Sequence, residues 1–237
     1  MFGNMLPDNG WICVAKKLSQ GFKHVWFEQP EEAEAYALRE DRAGHEIYLA
    51  QSSFKTKDSR KQENVQAVRS FWLDIDCGVG KPYDTQGDGA GAVRDFCART
   101  GLPLPAVVNS GNGLYAHWVL TEDVDPSSWK ETACLLKSVC AACGFLSDDS
   151  RTSDSASVLR PVGTRNKKTP ELAKEVRLIA EGKSIPFETF KAILEATATE
   201  CGIATIAVSG PPSKSGLNQE FLPVYDGPPS SAETIQL

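Results

Sequence analysis

Ser70-Phe71-Trp72-Leu73-Asp74-Ile75-Asp76 is the stretch on which the fold of this chain turns. Large apolar residues fill it and two carboxylates close it, the pattern of a buried strand ending in acids. Side chains alternate along a strand, so residues two apart share a face. Phe71, Leu73 and Ile75 then point into a core, while Trp72, Asp74 and Asp76 point the other way. Two carboxylates that close repel each other, and a divalent cation such as Mg²⁺ or Mn²⁺ relieves the repulsion through oxygen ligands. The competing reading is a pair of solvated acids at a strand end.

Upstream of this strand, Trp11 to Ala15 and His24 to Phe27 are short β-rich runs. Pro30 opens a helix with Glu31, Glu32 and Glu34 in its first turns, where the helix dipole favours anions, and Gly44 is placed to end it. Glu46 to Ala50 is strand-like, and Ser52 to Lys61, polar and basic, reads as an exposed loop. Downstream, Cys77 to Gly91 reads as a Gly-rich loop before a helix that runs to about Thr100 and is capped by Gly101. Ala106 to Asn109 and Leu114 to Leu120 read as strands joined by Ser110-Gly111-Asn112-Gly113, which supplies the positive-φ positions a hairpin needs. Asp125 is an N-cap for a helix to about Cys143; Val158 to Arg160 is extended, Val176 to Ala180 is a strand, and Pro186 to about Cys201 is a helix. From Val208 the composition turns to Gly, Pro and Ser, so residues 1–207 are expected as the folded unit and 208–237 as a flexible tail or linker. Hairpins mixed with helices predict an α+β fold with largely antiparallel sheets rather than a Rossmann fold.

Composition narrows the function. The 237 residues carry 25 Lys plus Arg against 31 Asp plus Glu, a net charge of -6, which argues against a protein that coats DNA by bulk charge. Hydrophobic residues at 41 % permit a real core, and no run approaches the ~20 apolar residues of a membrane span. Met1 to Gly10 has no signal-peptide pattern, so a cytoplasmic location is expected. The seven cysteines are odd in number and scattered. Cys134, Cys140 and Cys143 fall on a helical apolar pattern and read as buried core residues rather than zinc ligands. No GxGxxG follows a strand and no GxxxxGK[ST] occurs, which leaves dinucleotide and P-loop readings weak.

Two further elements carry chemistry. In Ser110-Gly111-Asn112-Gly113-Leu114-Tyr115-Ala116-His117, the glycines let backbone amides approach an anion, and Tyr115 and His117 share a strand face. A plain hairpin turn is the alternative. In the segment from Asp149 to Lys168, four cations, Arg160, Arg165, Lys167 and Lys168, fall in nine residues. In an acidic chain this is the candidate anion site, against a solvated charge run.

The three elements, in this order, resemble the archaeo-eukaryotic primase superfamily, and most closely its phage and plasmid primase–polymerase domains. Phe71-Trp72-Leu73-Asp74-Ile75-Asp76 is similar to the family's D-x-D strand, Ser110 to Tyr115 to its S-G-x-G-x-H turn, and Asp149 with Leu159-Arg160-Pro161-Val162-Gly163-Thr164-Arg165-Asn166-Lys167-Lys168 to its L-R-x-P-G-T-x-N-x-K element. The family's histidine position is held here by Tyr115, with His117 two residues later as its substitute. The resemblance implies an RRM-like antiparallel catalytic sheet packed with an N-terminal αβ module. It implies template-directed nucleotidyl transfer on single-stranded DNA from NTPs or dNTPs, for phage or plasmid replication, with a helicase partner fused C-terminally or separate. By the same resemblance, Asp74, Asp76 and Asp149 hold two Mg²⁺ or Mn²⁺ ions, with Asp148 and Asp154 as competitors for the third ligand. Arg160 and Lys168 bind the triphosphate, aided by Ser110, the Gly111 and Gly113 amides, His117, Thr164 and Asn166, with Tyr115 in the nucleotide site. Arg60, Lys61 and Asn64 touch nucleotide or template, or form a solvated loop. Two rivals stand beside this reading: a DxD glycosyltransferase, and a catalytically weak origin or single-strand-binding module.

Overall fold

In a computed structural model the described residues are 5–203. The chain order is β1 (Trp11–Lys17), β2 (Phe22–Phe27), α1 (Pro30–Arg42), β3 (Ile47–Phe54), β4 (Val65–Asp76), α2 (Gln86–Thr100), β5 (Ala106–Asn109) and β6 (Gly113–Val124). There follow α3 (Pro126–Ala142), α4 (Asp149–Thr152), β7 (Val158–Leu159), β8 (Arg165–Asn166), β9 (Lys174–Glu175), β10 (Arg177–Ala180) and α5 (Phe187–Glu200).

An antiparallel sheet in the order β10-β5-β6-β4-β3-β1-β2 forms the centre, with β7 paired to β3 off this path. β8 and β9 pair separately. The fold is therefore α+β, as the mixed order of hairpins and helices predicted. β4 and β6 are the central pair and run in register from Ser70 opposite Val119 to Asp76 opposite Gly113. Phe71 lies fully buried on the helical side, its ring stacked 4.4 Å from Phe190 of α5 and 5.6 Å from Trp129 of α3. A second cluster joins Ile12, Val14, Ile47 and Leu49 to Ala33 and Ala37 of α1, so α1 covers one face of the N-terminal strands.

Local chemistry sets the element ends. Thr85 and Asp88 form a reciprocal capping box that starts α2 at Gln86, inside the segment expected to be loop. Gly101 closes α2 in the left-handed conformation, φ 76°. Asp125 accepts from the Ser127 and Ser128 amides, the predicted N-cap of α3.

Three expectations are corrected. β3 continues to Phe54, so Ser52 and Ser53, read as the start of an exposed loop, are buried; the Ser52 hydroxyl donates to the Ser155 carbonyl at 2.6 Å. Trp72 turns away from the core face of β4 yet is fully buried, because segment 151–152 covers it and its indole N–H donates to the Arg151 carbonyl. Cys140 is buried as expected, but Cys134 is exposed and Cys143 half-buried. The tail expected over 208–237 lies outside the described residues, and no helix among those described is long and apolar enough to cross a membrane.

Replacing Phe71 with Ala removes the ring around which the central sheet and two helices stack. The loss expected is about 3–5 kcal/mol of unfolding free energy, measured by urea titration, with the denaturant slope unchanged.

Candidate active site

The cavity arises where two strands part. β3 and β4 pair only from Ser52 opposite Val68 to Phe54 opposite Val65. Beyond Ser52 they separate, and β7 enters the gap by pairing with Leu49 and Ala50 of β3. The result is a cavity of about 630 Å³ with the end of β4 on one side and the end of β7 on the other. It is lined by Asp74, Asp76, Tyr115, Asp148, Arg160 and Lys168, among others. Asp74 stands opposite Tyr115 in the β4–β6 register, and Asp76 opposite Gly113.

Asp74 is the most perturbed carboxyl here. Burial first, then the neighbouring Asp76 charge, push its pKa up to about 6; Asp148 acts in the same direction and Arg151 and Arg160 against it. Asp76 is exposed and takes the ammonium of Lys81 at 2.8 Å. The turn after β4 makes this return possible. Gly78 and Gly80 adopt φ of 119° and 72°, the Gly78 amide donates to the Tyr83 carbonyl, and Lys81 swings back over the strand end.

Of the candidates for a third carboxylate, Asp148 lines the cavity and Asp149 does not. The Asp148 amide donates to the backbone carbonyl of Asp74 at 2.8 Å, which draws this residue to the strand end. Asp149, one step along α4, faces away, and its nearest cation is Lys137 at 3.6 Å. Asp154 is also turned elsewhere, accepting from Gln62 at 2.7 Å and from the Ala156 amide at 3.0 Å. Asp148 itself caps α4 through the Ser150 amide and lies 3.7 Å from Arg151. Among the described residues, no three His, Cys, Asp or Glu side chains converge to enclose a metal. The expected three-carboxylate cage of Asp74, Asp76 and Asp149 is therefore not formed. A crowded pair with an ammonium on one member still fits a divalent cation of the Mg²⁺ type, which takes one or two carboxylates and completes its shell with water and phosphate oxygens.

Arg160 enters from the end of β7. Burial disfavours its charge, but the Glu46 carboxylate and Tyr48 outweigh this and keep the guanidinium ionised. Its Nη2 donates to Glu46 and to the Tyr48 hydroxyl, and the guanidinium lies 4.7 Å over the Tyr48 ring. Glu46, Tyr48 and Lys81 were not read as site residues in the sequence. Lys168 also lines the cavity and has no carboxylate within 4.0 Å among the described residues.

Several expected phosphate contacts are used elsewhere. The Gly111 amide donates to Asn109 Oδ1 at 2.8 Å and the Gly113 amide to Ser110 Oγ at 3.2 Å, so neither is free for an anion. The glycines serve packing instead. A Cβ on Gly113 would collide with the Ile75 carbonyl, and Gly111, at φ 94°, sits against Asn166. Asn166 lines the cavity but donates to the Ser110 carbonyl and accepts from the Lys168 amide, so it ties the hairpin turn to the basic loop. Thr164 is fully buried, its hydroxyl donating to the Pro161 carbonyl at 2.7 Å. Arg165 and Lys167 both bind the buried Asp41 of α1, leaving two of the four cations of this loop for the cavity. His117 pairs with Trp72 rather than with an aspartate, and burial pushes its pKa down to about 3, so it is a neutral core residue. Tyr115 occupies the cavity in its place. Arg60 donates to the Ala156 carbonyl and Asn64 to the Thr56 and Ser59 carbonyls, away from the cavity, and Lys61 is exposed.

The sequence matches no family model and no curated protein. Solved structures do match. The AEP domain of the cyanophage S-2L primase-polymerase aligns at TM-score 0.57 and 17% identity, over 78% of this chain and 89% of that one. Primase RepB′ aligns at 0.52 and 15%, over 85% of this chain, which spans 62% of that protein's length. The catalytic domain of RepB′ in complex with initiator DNA aligns at 0.51 and 15%, over 81% and 86%. The chain thus has the archaeo-eukaryotic primase fold.

Asp74 supplies a pH test on the metal-free protein. Its folded-state pKa of about 6 lies above the ordinary 3.8, so the folded state holds the proton more tightly. Stability then falls as pH rises through this window and stays lower above it. Asp74→Asn removes the buried charge. It is expected to stabilise the metal-free protein at pH 8 by up to about 3 kcal/mol and to change little at pH 4, as read from urea melts.

Proposed function

We propose that this chain is a primase–polymerase: it joins nucleotides on a single-stranded DNA template, with release of pyrophosphate. The observation that carries this reading is the cavity in which Asp74 and Asp76 face Arg160 and Lys168, set at the parted strands of a primase fold. Transfer of a nucleotidyl group needs this pairing of charges. The carboxylates serve the reacting end of the substrate and the cations its triphosphate.

Asp74 and Asp76 would hold Mg²⁺ or Mn²⁺, with Asp148 beside them. When bound, the metal ions lower the pKa of the attacking 3′-hydroxyl and offset charge on the reacting oxygens. The chain's own residues do the rest. Arg160 is preoriented by Glu46 and Tyr48, so little entropy is lost when it grips phosphate oxygens. Lys168 adds a second cation to the cavity wall. Lys81 leaves Asp76 as the site loads and becomes available to the phosphates. Tyr115, buried beside Asp74, closes the cavity floor and presents a hydroxyl within the nucleotide site. The proposal extends to residues 1–207 as the catalytic unit and 208–237 as a linker. A helicase partner, fused or separate, and action in a bacterial or phage-infected cell belong to the same reading.

One observation favours a second reading. The cavity holds Tyr115 at the family's histidine position, and His117, expected as its substitute, is buried outside it, which fits a catalytically weak single-strand-binding module. Primer synthesis separates the two. With single-stranded template, labelled nucleotides and Mg²⁺ or Mn²⁺, the wild type is expected to give extended products. Asp74→Ala with Asp76→Ala is expected to lower the yield at least a hundredfold. Binding of DNA without any metal-dependent product from the wild type would establish the second reading instead.

The identity of the third carboxylate has its own test. Asp148→Asn is expected to weaken Mn²⁺ binding several-fold in electron paramagnetic resonance titrations. Asp149→Asn is expected to leave it unchanged, because that carboxylate faces Lys137.

A further inference from the structure

The β1–β2 hairpin has one face that α1 does not cover. On it stand Trp11 and Lys17 of β1 and Phe22, His24 and Trp26 of β2, by the pairing of Cys13 with Trp26, Ala15 with His24 and Lys17 with Phe22. Ala15 also pairs with Tyr48 of β3, so this face continues into the active-site cavity, which Lys17 and Tyr48 line. The side chains form a connected strip. Phe22 packs edge-on to Tyr48 at 5.6 Å, His24 lies 6.3 Å from Trp26, and Arg60 Nε donates to His24 Nε2 at 3.3 Å. The Lys57 ammonium sits 3.7 Å over the Trp11 ring.

Two properties distinguish this strip. The first is aromatic exposure. Of the chain's five tryptophans, Trp72, Trp118 and Trp129 are core residues at 0–1 % exposure, whereas Trp11 and Trp26, both on this strip, are only half-buried. Phe22 is 40 % exposed and Leu18, in the hairpin turn, 44 %. The second is charge. On this face and in the adjoining 55–61 loop there are five cations, Lys17, Lys55, Lys57, Arg60 and Lys61, against the single acid Asp58. Lys17 is paired with Glu46, while the other four have no carboxylate within 4.0 Å among the described residues. In a chain of net charge -6 this is a concentrated positive field on a surface with exposed rings.

Cations that track a phosphate backbone, interleaved with aromatic faces and edges that accept bases, are the chemistry of single-stranded nucleic-acid binding. We propose that the partly exposed aromatic rim of the β1–β2 hairpin on the face turned from α1, with the 55–61 loop, is the track that carries the template strand into the cavity. This rests on the reading of the chain as a template-directed enzyme, and binding is measured apart from catalysis so that either can fail alone. Lys55, Lys57 and Lys61 contact phosphates, and Trp26 and Phe22 take the bases. Arg60 holds the loop against His24 and the Ala156 carbonyl, so it positions the track.

The test uses the full chain and fluorescein-labelled oligo(dT), followed by anisotropy across a salt series. Lys55→Gln, Lys57→Gln and Lys61→Gln together are expected to weaken binding at least tenfold. The slope of log affinity against log salt should fall by about 2, since each single-strand phosphate contact contributes about 0.7. Lys137→Gln, Lys183→Gln and Lys191→Gln, which remove the same charge elsewhere, are expected to leave both quantities within twofold of wild type. Oligo(dT) is expected to quench tryptophan emission in the wild type, and Trp11→Phe with Trp26→Phe to abolish most of that quenching. Mn²⁺-dependent binding of a labelled nucleotide should be unchanged in all these variants. The proposal is overturned by unchanged affinity and slope in the first triple variant, by equal loss in the control triple, or by quenching that survives the double tryptophan replacement. Absence of oligo(dT) binding by the wild type overturns it too. Loss of primer synthesis with these binding results intact would instead count against the enzymatic reading alone.

Discussion

The separation of β3 from β4 beyond Ser52 is the constraint from which the site follows. Strands that stayed paired to the end would bury Asp74 against a neighbouring backbone with no room for a ligand. Once they part, backbone donors and acceptors on the inner edge of β3 need new partners, since an unpaired buried peptide group is costly. β7 supplies them at Leu49 and Ala50, and the next residue after β7 is Arg160. One hydrogen-bonding requirement therefore opens the cavity and places a cation in it. The opposite wall is fixed as firmly. β6 approaches β4 so closely at Gly113 that no side chain fits, which holds Asp76 at the hairpin mouth.

The basic loop after β7 has two tasks, and its composition does not separate them. Arg165 and Lys167 converge on Asp41, a buried carboxylate in the last turns of α1. Burial would raise the Asp41 pKa, but the hydrogen bonds from Lys167 and Arg165 outweigh it and keep the group ionised. This cluster fastens the N-terminal module to the loop that carries Arg160 and Lys168. The two cations that line the cavity are thus positioned by a neighbouring ion-pair cluster that stands outside it.

Much of the scaffold was legible because its causes are local. The carboxylates at the end of an apolar strand, the Asp125 cap and the Gly101 terminus each depend on a few adjacent residues. The three motifs that carry the resemblance each contribute residues to one cavity, Asp74 and Asp76, Tyr115, and Arg160 and Lys168. What the residues alone did not disclose depends on contacts distant in sequence. Asp148 rather than Asp149 reaches the cavity because its amide bonds to the Asp74 carbonyl. Gly111 and Gly113 read equally well as an anion nest or a tight hairpin, and only the positions of Ile75 and Asn166 decide for the hairpin. His117 shares a strand face with Tyr115, as alternation predicted. Yet that face is covered at Trp72 and open at Asp74, and burial is not encoded in a two-residue step.

Glu46 resolves a difficulty that any site of this kind faces. Asp74 and Arg160 line one cavity and attract each other, and a direct ion pair between them would neutralise both and fill the space. Glu46 takes the guanidinium instead, with Tyr48 bonded to the same nitrogen and stacked beneath it. The Tyr48 hydroxyl also donates to Glu46 at 2.7 Å, which closes a three-membered network around Arg160. A guanidinium has five N–H donors, so a carboxylate and a phenol on Nη2 leave donors for a further anion. Asp74 meanwhile keeps an unneutralised carboxylate crowded by Asp76 and Asp148. The two halves of the cavity are thus held apart in charge, each stabilised enough to persist and each left short of its full complement of partners. That imbalance is the electrostatic arrangement that the proposed ligand, with its anionic phosphates and accompanying cations, would complete.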